Sequence, residues 1–258
     1  MNFTQLHQQT KPLLMANVWD VASMQVAEAA GYLALGTSSA AIAAILGYSD
    51  GDGISFAEVR QLVARLQIKS KLPISVDLEA GYSDQPKQVV ANILELASLG
   101  IIGVNLEDSI VRHGIRTLVE TSCFAEKLDA IRQGLIKEKI SMFNNVRTDT
   151  FLLGMQNVLE ETLVRGQTYA KYGADGFFVP CMTKESDITA VIEAVPLPLN
   201  LMCMPDLPSF EILQRLCVKR ISMGNFVHAK LQSYLQRMLV NIQSERTFNV
   251  VFAHENNG

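Results

Sequence analysis

The chain has 258 residues and a formal net charge of −4, with its basic residues scattered, which removes the electrostatic case for nucleic-acid binding. Hydrophobic residues make up 48%, enough for one large domain to bury a core without disulfide or metal staples. Cys123, Cys181, Cys203 and Cys217 form no CxxC pair and no zinc spacing. They read as reduced thiols of a cytoplasmic protein. The N-terminus lacks the pattern of a signal peptide, and the apolar run from Tyr32 to Leu46 is broken by Gly36-Thr37-Ser38-Ser39 and too short to span a bilayer.

Short apolar runs alternate with helical patterns along the whole chain. The runs are Leu13–Trp19, Tyr32–Thr37, Ile74–Asp77, Gly103–Glu107, Ser141–Arg147, Gly176–Val179, Leu197–Met202 and Arg220–Met223. Between them lie amphipathic segments such as SFAEVRQLVARLQ and AEKLDAIRQGLIKE, with Gly31, Gly100 and Gly173 where helix C-caps belong. Eight strand–helix units predict a parallel sheet closed into a (β/α)8 TIM barrel. An open doubly wound sheet is the rival, weakened by the lack of a GxGxxG after the first strand. No linker interrupts the composition, so residues 1–258 read as a single domain, with a long C-terminal helix at about 225–244 and a polar tail at 245–258.

Catalytic groups of such barrels stand at the C-terminal ends of the strands. The first strand ends near Trp19, and the second runs into Gly36-Thr37-Ser38-Ser39 and then a glycine-rich loop carrying Asp50. Ser38 and Ser39 offer hydroxyl and N–H groups to a carboxylate or enolate. The third strand and its continuation supply Asp77 and Glu79, two residues apart and expected on one face. The fourth supplies Glu107. Three converging carboxylates suit a hard divalent cation such as Mg²⁺. The bland reading makes strand-end acids helix caps, which serves for Asp84 and Asp108 but poorly for Glu79. Arg147 ends the fifth strand and offers a planar clamp for a carboxylate, or else a salt bridge to Asp149 or to the acidic cluster. Asn200 ends the seventh strand. His113, just after the Glu107 strand, is a candidate acid or base.

Taken together and in order, ANVWDVAS, GTSSAAIAAILGYSDGD, SVDLEAGYSD, GVNLEDS, NVRTDTF, ADGFFVP and RISMGNF resemble the isocitrate lyase/phosphoenolpyruvate mutase superfamily over nearly the whole chain. The closest subgroup is the mutase-like one with an LEAGY motif. The resemblance implies a (β/α)8 barrel, Mg²⁺ held by Asp77, Glu79 and Glu107, and a small α-keto or 2-hydroxy carboxylate bound by Ser38, Ser39 and Arg147. Asp50 becomes the polar group of the gating loop. It also implies an enolate-like intermediate, C–C cleavage by a lyase or decarboxylase, and a homodimer or homotetramer that exchanges its eighth helix. C–P mutase or hydrolase chemistry and a carboxylate-binding paralogue without turnover are the alternatives. SIVRHGIRTLVETS replaces the Lys-Lys/Arg-Cys-Gly-His stretch of the isocitrate and methylisocitrate lyases, so the cysteine acid of those enzymes is missing.

Overall fold

The computed structural model describes residues 2–51 and 53–252. In chain order its strands are β1 (Leu13–Leu14), β2 (Ala16–Val18), β3 (Leu35–Thr37), β4 (Ile74–Asp77), β5 (Gly103–Glu107), β6 (Ser109–Arg112), β7 (Ile115–Leu118), β8 (Phe143–Arg147), β9 (Gly176–Val179), β10 (Leu199–Met202) and β11 (Arg220–Ser222). Nine of them form one sheet in the order β1-β11-β10-β9-β8-β5-β4-β3-β2, and every neighbouring pair is parallel. Only Met15 separates β1 from β2, and its N–H donates to the Ile221 carbonyl at 2.9 Å. The two edges of the sheet are therefore consecutive pieces of one stretch of chain, and the sheet closes into a TIM-like barrel with eight strand positions. All eight expected runs are found at those positions.

The helices are α1 (Phe3–Leu6), α2 (Val21–Ala29), α3 (Ser39–Leu46), α4 (Phe56–Lys69), α5 (Pro86–Ser98), α6 (Thr121–Glu138), α7 (Val158–Tyr172), α8 (Glu185–Ala194), α9 (Phe210–Arg215), α10 (Phe226–Glu245) and α11 (Asn249–Phe252). Asp20, Ser38, Ser55 and Ser209 cap α2, α3, α4 and α9 by accepting a backbone N–H from the first turn. The main core lies between the sheet and the helices, where Val76, Val104, Leu106, Val146 and Val179 meet Val63, Ile93, Leu128 and Val191. At the strand N-termini, α1 contributes Phe3 and Leu6 to a second cluster with Leu13, Met15, Ala34 and Phe143. That plug leaves the C-terminal face as the open end.

Alternation along the strands decides what enters the barrel. Asn105 and Asn145 are register partners, and with Asn200 they form a buried polar layer. Asn145 Nδ2 donates to Asn105 Oδ1 at 2.9 Å and to Asn200 Oδ1 at 3.1 Å, while Arg220 reaches Asn105 at 3.2 Å. One element was not foreseen. Strands β6 and β7 pair antiparallel as a hairpin after β5, with His113 (φ 54°) and Gly114 (φ 75°) at its tip. Two successive left-handed residues are the signature of a type I′ turn, and β-branched residues flank His-Gly on both sides.

The chain forms two compact units, Met1–Gly224 and Asn225–Gly258. The barrel belongs to the first. The second holds α10, which realises the expected long helix, and α11; the end of the expected tail, residues 253–258, lies outside the described residues. Among the described residues no helix is long and apolar enough to cross a membrane, and the four cysteines are free thiols.

Candidate active site

The acidic residues gather at the open face, though not by the route expected. β4 ends at Asp77, and Glu79 adopts a left-handed conformation (φ 49°), so it arrives through a turn rather than by strand alternation. Gly81 makes the turn possible. Its φ of +102° is left-handed, and a Cβ there would stand 2.7 Å from both Val89 methyl groups. Asn92 Nδ2 holds the Gly81 carbonyl at 2.9 Å, and the buried Lys127 Nζ holds that of Ala80 at 3.1 Å.

Asp77 faces the start of α3. Its Oδ2 accepts from the Ser39 N–H at 3.1 Å and the Ser39 hydroxyl at 2.7 Å, and its own N–H donates to Thr37 Oγ1 at 2.8 Å. A carboxylate at a helix N-terminus is favoured by the helix dipole as well. Glu79 accepts a hydrogen bond from Tyr82 at 3.1 Å. Burial, followed by the nearby charges of Asp77 and Glu107, pushes its carboxyl up to about 7. Glu79 and Glu107 line a cavity of about 360 Å³ with Gly51, Gly53, Ile54, Ala80, Tyr82, Ser83, Asp84, Ile110, Val111 and Arg112.

Glu107 sits in a different setting. Its register partner across β5 and β8 is Arg147, whose Nη1 lies 3.2 Å from Oε2, and Arg116 from β7 grips Oε1. Burial pushes the Glu107 carboxyl up while the two arginines pull it back. The fully buried Asp149 joins them, accepting from Arg147 Nε at 2.6 Å, Arg116 Nη1 at 3.0 Å and the Ser109 hydroxyl at 2.5 Å. Arg147 also lies over the Phe178 ring, 5.8 Å from its centroid. Both salt bridges weighed against its role as a clamp are thus present.

The arrangement tests the expected Mg²⁺ site through its donor chemistry. Among the described residues no group of three His, Cys, Asp or Glu side chains is close enough to ligate one ion directly. That departs from a direct three-carboxylate site, because Glu107 is turned onto two guanidinium groups. The donor set still fits a hard ion of the Mg²⁺ kind, which keeps several waters and needs only one or two protein carboxylates. Asp77 and Glu79 offer those oxygens, and the Glu79 carboxyl, raised first by burial and then by the charges of Asp77 and Glu107, is one that a nearby cation would stabilise in its ionised form.

Four of the expected substrate groups are placed otherwise. The Ser38 N–H donates to the Val18 carbonyl at 3.2 Å, and its hydroxyl accepts from Ala41 N–H at 3.3 Å as the cap of α3. The Ser39 donors are taken by Asp77, so neither serine holds N–H groups free for a substrate carboxylate. Asn200 donates to the Leu201 carbonyl at 2.7 Å and to Ser222 at 3.1 Å; it stiffens the barrel interior. Trp19 is a core residue of the main cluster. His113 is exposed at the hairpin tip, because a type I′ turn points its residues outward. Asp50 does reach the site, with Oδ2 3.7 Å from Arg116 Nη2.

Asp108 is no helix cap. It points to the opposite side of the chain from Glu107 and is fully buried, accepting from Thr148 Oγ1 at 2.7 Å, Tyr169 OH at 2.8 Å, Arg165 Nη1 at 3.0 Å and Asp149 N–H at 3.1 Å. The sequence places specificity in a loop from Ile110 to Arg116 but gives Arg116 no contact of its own; the hairpin signature around His113-Gly114 is the signal that turns it inward.

Comparison with known proteins agrees with this geometry. Residues 3–243 match the phosphoenolpyruvate phosphomutase family. An uncharacterized protein of Mycobacterium tuberculosis is 32% identical over 225 residues, covering 87% of this chain and 82% of that protein. A Burkholderia cenocepacia structure, provisionally assigned as a phosphonomutase, is 35% identical with a TM-score of 0.86 and covers 92% of this chain and 97% of that one. An oxaloacetate decarboxylase of Bradyrhizobium (strain BTAi1) is 25% identical over 236 residues, covering 89% of this chain and 79% of its own. With its barrel, its acidic strand ends and a family match over nearly its full length, the chain belongs to the phosphoenolpyruvate mutase/isocitrate lyase superfamily.

Proposed function

We propose that this protein is a Mg²⁺-dependent enzyme that acts on a small α-keto or 2-hydroxy carboxylate through an enolate-like intermediate, with C–C cleavage of the lyase or decarboxylase kind. The observation that carries the reading is the pairing of Asp77 and Glu79, which meet no cation among the described residues, with Glu107, which Arg147 and Arg116 both hold, Glu79 and Glu107 lining one cavity. Similarity to an oxaloacetate decarboxylase makes oxaloacetate the first substrate to try.

Asp77 would hold the ion, with Glu79 and Glu107 contributing partly through water. Bound Mg²⁺ supplies Lewis-acid stabilisation of negative charge on the substrate's oxygens. Ser39 keeps Asp77 oriented through its N–H and its hydroxyl. Arg147 receives the substrate carboxylate, and its contacts with Glu107 and Asp149 fix its plane beforehand, so little order is lost on binding. Asp50, on the loop between α3 and α4, completes the wall of the site. The missing lyase cysteine favours chemistry in which loss of carbon dioxide or of a small fragment needs no strong acid from that position.

We also place the protein in the cytoplasm as a homodimer or homotetramer. The exposed Leu231, Leu235 and Leu239 on α10 support the latter, being one helical face left to water. The test is turnover of oxaloacetate, methylisocitrate, isocitrate and phosphonopyruvate with Mg²⁺ and with EDTA. Metal-dependent loss of oxaloacetate is the expected result. Turnover of phosphonopyruvate alone would replace C–C by C–P chemistry, and no turnover of any would favour a binding protein.

A further inference from the structure

In the scheme above Arg116 holds Glu107 and Asp149 but is given no substrate group of its own. Alternation along β7 turns Arg116 and Leu118 inward while Ile115 and Thr117 face solvent. One edge of the guanidinium is anchored, for Nη1 serves Glu107, Ser109 Oγ at 2.8 Å and Asp149 Oδ2 at 3.0 Å. Neither Nε nor Nη2 makes a hydrogen bond among the described residues. Nη2 has only the 3.7 Å approach to Asp50, a carboxylate 54% exposed. A long contact to an exposed acid is screened and weak.

The anchored edge fixes the plane, and the other edge is set for a better anion. Arg147 and Arg116 hold opposite oxygens of Glu107, so the two guanidinium groups stand on either side of one carboxylate. Arg147 lies deeper, on a barrel strand and over Phe178. Arg116 lies at the rim, where the loop reaches it. Gly51 of that loop has φ +75° and is so close to the hairpin that a Cβ would stand 2.6 Å from Val111 Cγ2. The loop thus lies against the Arg116 edge, and an anion held there gains a bidentate, charge-assisted pair in place of the long contact to Asp50.

We propose that Arg116 is the specificity-determining residue that binds the distal carboxylate of a dicarboxylate substrate, displacing Asp50 from Nη2. The proposal rests on the reading of the site as one for 2-oxo or 2-hydroxy acids. It excludes monocarboxylates as preferred substrates and assigns the recognition of the second acid to the hairpin that stands in place of the cysteine motif.

Malate and lactate test this, since they differ only in the distal carboxylate and neither decarboxylates like oxaloacetate. Binding is measured by calorimetry in saturating Mg²⁺, because the site's own carboxylates repel a diacid without it. The wild type should bind malate about ten-fold or more tightly than lactate, the scale of one charge-assisted pair. Arg116→Met should erase that ratio and leave lactate within about three-fold of wild type; Arg116→Lys should keep part of it. Asp50→Asn removes the competing carboxylate and should raise the ratio, which gives a second reading if Arg116→Met fails to fold. A malate preference that survives in Arg116→Met, or is unmoved by Asp50→Asn when Arg116→Met does not fold, overturns the proposal alone. Equal binding of malate and lactate by the wild type does the same. Binding of neither overturns the 2-hydroxy acid reading and takes this one with it.

Discussion

The two halves of the site mouth contain the same kind of residue in opposite states. On the β5–β8 side, Glu107 and Asp149 are buried, yet each meets Arg147 and Arg116. On the β4 side, Asp77 and Glu79 meet hydroxyl and N–H donors but no cation within ion-pair distance among the described residues. Burial of charge is costly unless paired, so the first half is complete within the protein and the second asks for a partner. That asymmetry locates a metal better than the number of carboxylates does.

The largest break in the comparison comes from Asp77→Ala. Mg²⁺-dependent turnover should fall by about 10³-fold or more, while the melting temperature stays level or rises because clustered negative charge is relieved; persistence of turnover in steady-state assays would remove Asp77 from the site. Arg147→Met should do the reverse to the protein itself. It strips the paired half, leaves Glu107 and Asp149 short of charge, and should cost about 3–5 kcal/mol in urea unfolding. A cost as small as that of an exposed ion pair would show that Arg116 alone suffices.

Gly81→Ala probes the turn that carries Glu79. A left-handed alanine pressed on Val89 should cost about 1–3 kcal/mol and weaken Mg²⁺ binding, read by calorimetry; unchanged metal affinity would mean that Glu79 takes no part in holding the ion.

The smallest effect is a pH slope. The Glu79 carboxyl lies at about 7 in the folded protein against 4.5 for the free group. The folded state therefore binds more protons between those values, and the metal-free stability should fall as pH rises from about 4.5 through 7. Glu79→Gln should flatten that fall in pH-dependent melts, leaving the part due to Glu107, and saturating Mg²⁺ should flatten it in the wild type. A wild-type curve that rises over this window would show that the β4 side is not short of positive charge.

Much of this is legible in the sequence. Asp77, Glu107 and Arg147 each close a β-branched run, and a strand's end in a closed parallel barrel can only face the active rim. Glu79 does lie near Asp77, but not by the expected rule, because strand alternation stops at Asp77 and a glycine-dependent turn takes over. Ser38 and Ser39 looked like substrate donors since their hydroxyls are chemically apt; α3 begins so soon after β3 that the cap and Asp77 consume them. Asn200 looked like a strand-end ligand, and is instead one member of a polar layer whose partners come from β5, β8 and β11.

Periodicity and strand-end chemistry, both local properties of the chain, determined the barrel and the identity of its acidic rim. Partner choice belonged to the tertiary structure, because it depends on groups far apart in sequence meeting at hydrogen-bond range. Asp108 and Glu107 are adjacent acids, and only the fold sends one to Arg165 and Tyr169 inside the packing and the other to Arg147 and Arg116 at the mouth. A side chain's chemistry is written in its residue, while its charge state and its task are set by what the closed sheet brings against it.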